Sequence, residues 1–398
     1  MTILSCISCF KGFNRNVVIT GVVSFFMDVS SEMVYPLVPL FLANVLSADK
    51  SVIGLIEGIA EATASLLKVF SGWLSDRIGS RKWLMAFGYG LATLSRPLIA
   101  TAQSWHGVLG SRFTDRLGKG IRTAPRDAIL AESTDAAHLG RAFGLHRGMD
   151  TLGAVFGPLL AFSILAYFHE NYRLVFWLSM IPGLVAVLLI VFFIKEVRKR
   201  EAAAVMPRLT WAHFSRRFFF FMFIAAIFAF GNSSDAFLIL KAQQTGISTA
   251  MIPIVYMTFN FIYAISSFPA GMLADNFGKK RVILIGFVLF AAIYAGFAMA
   301  ESISMIWLLF AAYGVFMGFT EGIQKAYLAT VIPADFKATA FGLYNMVIGL
   351  AVLPASIVGG WLWEHISPAA TFYFGAVTAI LAALMFIVFL YVEKEKNV

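Results

Sequence analysis

The chain has 398 residues, of which 60% are hydrophobic and 13% are charged, and its mean hydropathy is +0.81. This composition excludes an ordinary soluble domain, in which about a quarter of the residues are charged. The formal net charge of +9 does not predict nucleic-acid binding, because most Lys and Arg residues fall in both tails and in alternate loops between the apolar segments.

Twelve apolar segments of membrane-spanning length follow one another along the chain, and each predicts a transmembrane helix. The predicted fold class is therefore an all-α membrane protein. The positive-inside rule further predicts a multi-pass protein of the plasma (inner) membrane with both termini in the cytoplasm. In chain order, predicted helices 1 to 12 cover 17–46, 51–74, 83–102, 105–130, 140–168, 174–194, 218–240, 248–274, 282–300, 304–319, 338–363 and 369–392.

An internal repeat divides these segments into two six-helix halves. Four short motifs recur in the same order at offsets of 198 to 203, a pattern typical of transporters built from parallel repeats. The predicted halves are 1–194 and 218–398, and the basic segment 195–217 is a cytoplasmic linker. The motif pairs are GWLSDRIGSRK at 72–82 with GMLADNFGKKR at 271–281, DAILAES at 127–133 with KAYLATV at 325–331, AFGL at 142–145 with AFGL at 340–343, and SSE at 30–32 with SSD at 233–235.

The loops that follow helices 2 and 8 resemble the G-x-x-x-D-[RK]-x-G-x-[RK]-[RK] loop of the major facilitator superfamily. The matching residues are Gly72, Asp76, Arg77, Gly79, Arg81 and Lys82 in the first copy, and Gly271, Asp275, Gly278, Lys279 and Lys280 in the second, where Asn276 replaces the first basic residue. The resemblance covers essentially the whole chain and implies the major facilitator fold. It also implies a gating role for Asp76, Arg77, Arg81 and Asp275, because the aspartate meets a helix N-terminus in that family.

Two further motifs are similar to those of the twelve-helix drug–proton antiporters. Pro36 and Pro39 match the P-x-x-P that closes helix 1, and helix 5 contains Gly153, Gly157 and Pro158 as G-x-x-x-G-P. Glycines let a neighbouring helix approach closely, and proline bends the backbone. The resemblance implies that Gly157 and Pro158 take part in gating and that transport is export, although the Gly-Gly pair that usually follows is absent.

Helix 4 is predicted in spite of its many charges. Its hydropathy suggests a loop, but the repeat aligns 105–130 with the apolar span 303–328. Five charged residues facing lipid are implausible, because each charge costs roughly 2.5–3.5 kcal/mol in the bilayer centre. The predicted stripe therefore faces a cavity, anionic partners or both. The basic residues, spaced 4, 3, 3 and 4 apart on one face, are Arg112, Arg116, Lys119, Arg122 and Arg126.

The other intramembrane charges fall on the helices that the family fold hides from lipid. Asp28 and Glu32 lie one turn apart on helix 1, and His146 and Asp150 lie one turn apart on helix 5. Burial and neighbouring charges tune the proton affinity of such groups. We therefore assign proton coupling to these four residues. The alternative is that they form permanent ion pairs that hold helices together.

The predicted substrate site combines residues of helices 4, 7 and 10. Glu321 and Lys325 are one helical turn apart, so the alternative for them is that they neutralise each other. For Glu57 and Glu61 of helix 2, two roles are open: they form part of an outer gate, or they lie at the solvated mouth of the cavity. The residues assigned to the substrate are Arg112, Asp115, Arg116, Lys119, Arg122, Asp235, Glu321 and Lys325.

The sequence predicts a secondary transporter that moves a small organic solute by alternating access, with proton-coupled efflux favoured. The alternative is a proton-coupled importer of an anionic solute, such as an organic acid, a phosphate ester or a siderophore-like ligand, which the stripe on helix 4 would bind. The two hypotheses differ in whether Arg112, Arg116 and Lys119 are already neutralised by acidic residues of helices 1 and 4.

No enzymatic activity, cofactor or metal site is predicted. Cys6 and Cys9 form an isolated C-x-x-C without a second pair or a histidine cluster. A Gly-x-x-x-x-Gly-Lys-Ser/Thr loop is absent from the sequence, which argues against ATP as the energy source. The expected partners are a small-molecule substrate, protons and the lipid bilayer, with no nucleic acid, and the expected state is a monomer.

Overall fold

A computed structural model describes residues 14–78, 80–135, 139–196, 214–332 and 337–395. The description covers their side chains except those of residues 69, 72–78, 139–140, 268, 329, 337–339 and 392–395. Most of the predicted linker 195–217 lies outside the described residues, as do Cys6 and Cys9. The boundaries predicted for the two halves stay a prediction.

Helices make up almost all of the described chain, and each predicted segment contains one long helix. Helix 1 runs on into a 3-10 turn (Tyr35–Leu37), a short α segment (Val38–Leu40) and a π turn (Phe41–Val45). Helix 7 is interrupted, and its second segment is Ala236–Gln244. The long helices, of 16 to 29 residues, are Arg15–Val34, Lys50–Ile78, Arg81–Thr101, Trp105–Glu132, Leu139–Tyr167, Tyr172–Phe193, Arg216–Gly231, Ile252–Phe277, Lys279–Met299, Ile303–Val331, Lys337–His365 and Pro368–Glu395.

Side-chain caps begin several of these helices, as their sequences favour. The side chain of Asn14 accepts a hydrogen bond from the backbone N–H of Asn16 at the start of helix 1. Asn171, Ser215 and Ser302 do the same for helices 6, 7 and 10. Such caps satisfy backbone donors that have no partner within the helix.

Nine spans in the described part of the chain are long and apolar enough to cross a membrane, judged by length and composition. Helices 2, 3 and 4 do not meet this criterion. Helix 4 fails because it carries the basic stripe, yet it is one continuous helix that passes through Pro125 to Glu132. The prediction of an all-α membrane protein is confirmed, and the described residues contain no β-strand.

The described chain forms two compact units. The first contains the described residues of Met1–Tyr35, Leu67–Ala102 and His106–Ala204. Helix 1 packs there against helices 5 and 6, and helix 3 packs against helix 6. Their shared core includes Val23, Met27, Met85, Tyr89 and Ile190.

The second unit contains the described residues of Pro36–Leu66, Gln103–Trp105 and Val205–Val398. Helix 10 packs against helices 8 and 9, and helix 12 packs against helices 7 and 9. The first part of helix 2 also belongs to this unit and lies close to helix 11. A Cβ atom on Gly58 would lie 2.9 Å from the carbonyl oxygen of Leu353, so glycine allows this approach.

Candidate functional site

Glycines bring helix 4 very close to helix 3 in the first unit. A Cβ atom on Gly118 would lie 2.8 Å from the backbone nitrogen of Ala92, and a Cβ atom on Gly88 would lie 2.8 Å from the carbonyl oxygen of Gly118. Real Cβ atoms do not approach that closely, so the two glycines are needed for this packing. The close contact lets a side chain of helix 3 reach the charged face of helix 4.

Arg96 of helix 3 makes that contact. Its Nη2 atom lies 3.1 Å from Oδ1 of Asp115 on helix 4. Its Nε atom donates to Oγ of Ser30 at 3.2 Å, and Nη2 donates to Oγ of Ser31 at 3.0 Å. Arg96 and Asp115 are 3% and 6% exposed. This buried arginine therefore connects helices 1, 3 and 4.

Two residues of the predicted basic stripe share the same aspartate. Nη1 of Arg112 and Nη1 of Arg116 each lie 3.8 Å from Oδ2 of Asp115. Their guanidinium carbons also lie 5.3 Å and 5.8 Å from the centre of the Tyr35 ring, a distance at which the ring face attracts a cation. These two cations of the stripe are thus engaged within the protein itself.

The C-terminal part of helix 4 is engaged in a different way. The guanidinium of Arg122 lies 4.4 Å from the centre of the Tyr89 ring, and Arg126 forms a 2.8 Å ion pair with Asp127. Lys119 is half-buried and lies within electrostatic range of Asp28. Four of the five basic residues of the stripe, Arg112, Arg116, Arg122 and Arg126, therefore make ion-pair or cation–π contacts within the protein.

The G-x-x-x-G motif of helix 5 packs directly against the acidic face of helix 1. A Cβ atom on Gly153 would lie 2.8 Å from Cβ of Asp28, and one on Gly157 would lie 2.8 Å from Cβ of Glu32. Pro158 follows at once and is buried within helix 5. The contact defines a helix 1–5 seam, formed by residues 24–32 and 146–157, and both carboxylates lie on it.

The other two residues predicted for proton coupling lie on the same seam. Nδ1 of His146 is 3.5 Å from Oδ2 of Asp150, and Nε2 of His146 shares a 2.8 Å hydrogen bond with Oγ of Ser24 on helix 1. Asp150 and Glu32 both act electrostatically on Asp28. The structure thus brings the four titratable residues together along one line of helix contact.

The substrate residues predicted in the second unit form two clusters. Asp235 lies in the break of helix 7 and accepts a 2.8 Å hydrogen bond from the hydroxyl of Tyr313. Glu321 accepts hydrogen bonds from Tyr263 and, at 3.2 Å, from Nζ of Lys325. The alternative expected for Glu321 and Lys325, mutual neutralisation, matches this contact.

The predicted gating residues are described in part. Nη1 of Arg81 forms a 2.5 Å ion pair with Oε1 of Glu132 at the end of helix 4. The carboxylate of Glu196 accepts the backbone N–H of Arg81 at 3.0 Å, beside the N-terminus of helix 3. Asp275 is exposed and lies 3.7 Å from Nζ of Lys279. The side chains of Asp76 and Arg77 lie outside the described residues.

Comparison with known proteins decides the family. The family model described as Major Facilitator Superfamily matches residues 20–241 and 222–398. An uncharacterized MFS-type transporter of Methanocaldococcus jannaschii is 36% identical over 381 residues, which cover 94% of this chain and 95% of that protein. The chain belongs to the Major Facilitator Superfamily. It is therefore an integral, multi-pass membrane transporter.

Two more distant comparisons agree with this assignment. The Multidrug resistance protein MdtL of Shigella flexneri is 26% identical over 329 residues, which cover 80% of each chain. The crystal structure of the nucleoside transporter NupG matches with a TM-score of 0.77 at 14% identity, covering 94% of this chain and 98% of that one. At that identity, the match to NupG shows the major facilitator fold alone.

The sequence analysis assigns no role to Arg96, Tyr294 and Tyr313, which form polar contacts inside the two units. Arg96 is the single charged residue of the predicted helix 83–102, and Tyr294 and Tyr313 lie in the apolar segments 282–300 and 304–319. The repeat contains the missing signal, because Tyr294 and Tyr313 lie 198 positions after Arg96 and Asp115. Aligning the two halves residue by residue would have indicated all three.

Proposed function

We propose that this transporter exports a small organic solute in exchange for protons, and that Asp28 and Glu32 carry the protons. The observation that carries the proposal is the close packing of Gly153 and Gly157 against helix 1 at these two carboxylates. A shift of helix 1 along such a tight seam changes the surroundings of both groups at once. A carboxyl group whose surroundings alternate can bind a proton in one state and release it in the other.

His146 and Asp150 extend this set of groups along helix 5. An imidazole within hydrogen-bonding distance of a hydroxyl and near a carboxylate is suited to pass protons. We propose that these two residues connect the helix 1 carboxylates with the cytoplasmic side. The charge distribution of the loops supports this orientation, with both termini in the cytoplasm and the protein in the inner membrane.

Two observations support export as the direction of transport. The helix 5 motif is similar to that of drug–proton antiporters, and MdtL, a relative at 26% identity, is named a multidrug resistance protein. Import of an anionic solute is less favoured, because Arg112 and Arg116 already contact Asp115 and the ring of Tyr35. An anionic substrate would have to replace these contacts. The proposed unit of function is the monomer.

The test uses the purified full-length transporter in proteoliposomes with an imposed pH gradient. The probe is tetraphenylphosphonium, an organic cation, and its accumulation is measured at zero membrane potential. The wild type is expected to accumulate the probe on the acidic side in exchange for protons. Glu32→Gln is expected to equilibrate the probe without accumulation, whereas the exposed control Glu301→Gln retains accumulation. Accumulation by Glu32→Gln equal to that of the wild type would remove Glu32 from the coupling mechanism.

A further inference from the structure

A row of polar residues runs along helix 1 in the first unit. Its members follow one another at intervals of four residues, so each lies one turn from the next and the row winds slowly around the helix. Polar side chains within a membrane-spanning helix are costly and mark functional positions. Five of them at a regular spacing therefore indicate a shared use. This polar row consists of Asn16, Thr20, Ser24, Asp28 and Glu32.

The middle of the polar row is bonded to helix 5. Oγ of Ser24 and Nε2 of His146 share a 2.8 Å hydrogen bond, and Nδ1 of His146 lies 3.5 Å from Oδ2 of Asp150. When Nδ1 carries a hydrogen toward this carboxylate, Nε2 accepts from the hydroxyl of Ser24. Ser24, His146 and Asp150 then form one directed series of polar groups that leads from helix 1 to helix 5.

Thr20 lies one turn before Ser24, and its hydroxyl differs from those of other buried threonines. Its side chain is 0% exposed, and its Oγ1 atom has no hydrogen-bond partner among the described residues. Thr93 of helix 3 and Thr320 of helix 10 are also buried, but each donates to the carbonyl oxygen four residues earlier in its own helix. The hydroxyl of Thr20 therefore keeps both its donor and its acceptor capacity for another group.

A second buried polar atom lies on the other side of the Ser24–His146 bond. Oδ1 of Asp150 has no hydrogen-bond partner in the described part of the chain, whereas Oδ2 faces His146. An unbonded buried oxygen is costly, and buried polar groups without a protein partner are commonly bonded to internal water. Thr20 and Asp150 are therefore the positions at which water would extend the series.

Helices 4 and 5 enclose the part of helix 1 that carries Thr20. Val17, three residues earlier, belongs to one hydrophobic cluster with Leu130 of helix 4. A Cβ atom on Gly21, the next residue, would lie 3.3 Å from Cγ of Met149 on helix 5. Thr20 is thus surrounded by protein and does not face lipid, so a bound water molecule would be retained inside the first unit.

The polar row ends in a bonded junction at the start of helix 1. Nδ2 of Asn16 donates to Oγ of Ser133 at 3.1 Å and to the carbonyl oxygen of Lys195 at 3.0 Å, and Oδ1 of Asn16 accepts the N–H of Lys195 at 3.0 Å. Ser133, just after helix 4, is half-buried. Its hydroxyl therefore lies at the edge of the first unit, which is cytoplasmic in the proposed orientation.

The charged groups that act on His146 come from helices 4 and 5. Asp150 and Arg147 lie on its own helix, and Arg126 and Asp127 lie on helix 4. Arg126 and Asp127 form a 2.8 Å ion pair, and 43% of the Asp127 side chain is exposed. Helix 1 contributes the neutral hydroxyl of Ser24. Protons could therefore reach His146 along the polar row or from the exposed carboxylate of Asp127, and the two routes differ in the residues they need.

We propose that the hydroxyls of Thr20 and Ser24, together with internal water bound at Thr20, relay protons between the start of helix 1 and His146. About one turn, 5–6 Å between Cβ atoms, separates the two hydroxyls, a gap that one water molecule bridges with two ordinary hydrogen bonds. Each water or hydroxyl oxygen accepts one proton and releases one to the next group. Nε2 of His146 accepts the last proton while Nδ1 releases one to Asp150. This inference rests on the proposed function and specifies its proton route.

Proton-driven accumulation of tetraphenylphosphonium by the full-length protein in proteoliposomes tests this relay. Thr20→Val keeps the shape of the side chain but removes the hydroxyl. It is expected to slow accumulation about tenfold or more and to leave the final level unchanged, because the carboxylates that carry the protons remain. Thr20→Ser is expected to restore most of the wild-type rate. Thr93→Val is the matched control, since Thr93 is buried but bonded within its own helix, and it should behave as the wild type.

Exchange of labelled for unlabelled probe without a pH gradient involves no net proton movement, so Thr20→Val is expected to leave its rate unchanged. A wild-type rate of accumulation in Thr20→Val, an equal loss in Thr93→Val, or equally slowed probe exchange in Thr20→Val would each overturn the inference. A slowed Asp127→Asn beside a wild-type rate in Thr20→Val would overturn it in favour of the route from helix 4.

A structure of the purified wild type that resolves internal water tests the same inference without transport. Water is expected within hydrogen-bonding distance of Oγ1 of Thr20, and a dry site there would contradict the inference even if Thr20→Val does not fold. Water at Thr20 in a wild-type protein that shows no proton-driven accumulation would contradict the proposed function alone.

Discussion

Arg96 on helix 3 and Asp115 on helix 4 form a buried ion pair of 3.1 Å. Arg112 and Arg116 lie at 3.8 Å from the other oxygen of the same aspartate. Asp115 thus holds together three guanidinium groups that would otherwise repel one another in a medium of low dielectric constant. This relationship favours an internal network over direct substrate binding for Arg112 and Arg116, and the substrate role of the basic stripe stays a prediction.

Removing one partner of this pair is expected to destabilise the protein strongly. Arg96→Ala and Asp115→Asn each leave buried charge without its closest partner, which costs about 3–5 kcal/mol. The double variant Arg96→Ala/Asp115→Asn is expected to lose less than the sum of the two single changes, because both charges are removed together. Thermal unfolding in detergent measures this difference, and strictly additive losses would show that the two residues do not interact.

Larger side chains at the helix 1–5 seam are expected to abolish transport. Gly157→Val places methyl groups where a Cβ atom would already lie 2.8 Å from Cβ of Glu32, so helix 1 must move away. Overpacking of this kind costs about 1–3 kcal/mol. Gly144→Val, on the same helix but outside the seam, is the matched control, since nothing lies within 4 Å of a Cβ atom there. Equal transport by the two variants would contradict a role for the seam.

Neutralising Arg116 distinguishes the two substrate hypotheses. In the internal network, Arg116→Gln is expected to lower the melting temperature and to leave the relative affinities for tetraphenylphosphonium and tetraphenylborate unchanged within about twofold. A residue that binds the substrate anion directly would contribute about 1.5–3 kcal/mol through its charged hydrogen bonds. A selective loss of anion binding by tenfold or more would therefore favour the importer hypothesis.

His146 is expected to affect the rate of proton-coupled transport rather than binding. His146→Gln retains hydrogen-bonding groups for Ser24 but removes the group that can take up and release a proton. Proton-driven accumulation of the probe is expected to slow by roughly tenfold or more, a typical effect of losing a positioned acid–base group. Cation affinity should stay unchanged, and His106→Gln, at the exposed start of helix 4, should behave as the wild type.

The local features of the fold and of the site were predictable from sequence. Apolar segment length indicated the helices, and the repeat indicated that residues 105–130 are helical although their hydropathy suggests a loop. Contacts one turn apart, such as His146 with Asp150 and Glu321 with Lys325, follow from helix geometry alone. These predictions depend on short-range periodicity, which the sequence contains directly.

Contacts between helices were harder to predict because they depend on helix rotation and spacing. The pairing of Arg96 with Asp115 requires the close approach at Gly88 and Gly118, which no periodicity specifies. The break in helix 7 was also missed, since the apolar segment 218–240 was interpreted as one helix. The polar run that ends at Asp235 opens the helix there, and the partners of that run lie on other helices.

In the proposed exchange, solute binding and proton binding oppose each other. The most direct measurement is the pH change when tetraphenylphosphonium is added to the purified protein in weakly buffered detergent solution. The wild type is expected to release protons on binding, and the Asp28→Asn/Glu32→Gln double variant is expected to bind the cation without releasing them. Proton uptake on binding, or equal release by the wild type and the double variant, would contradict it.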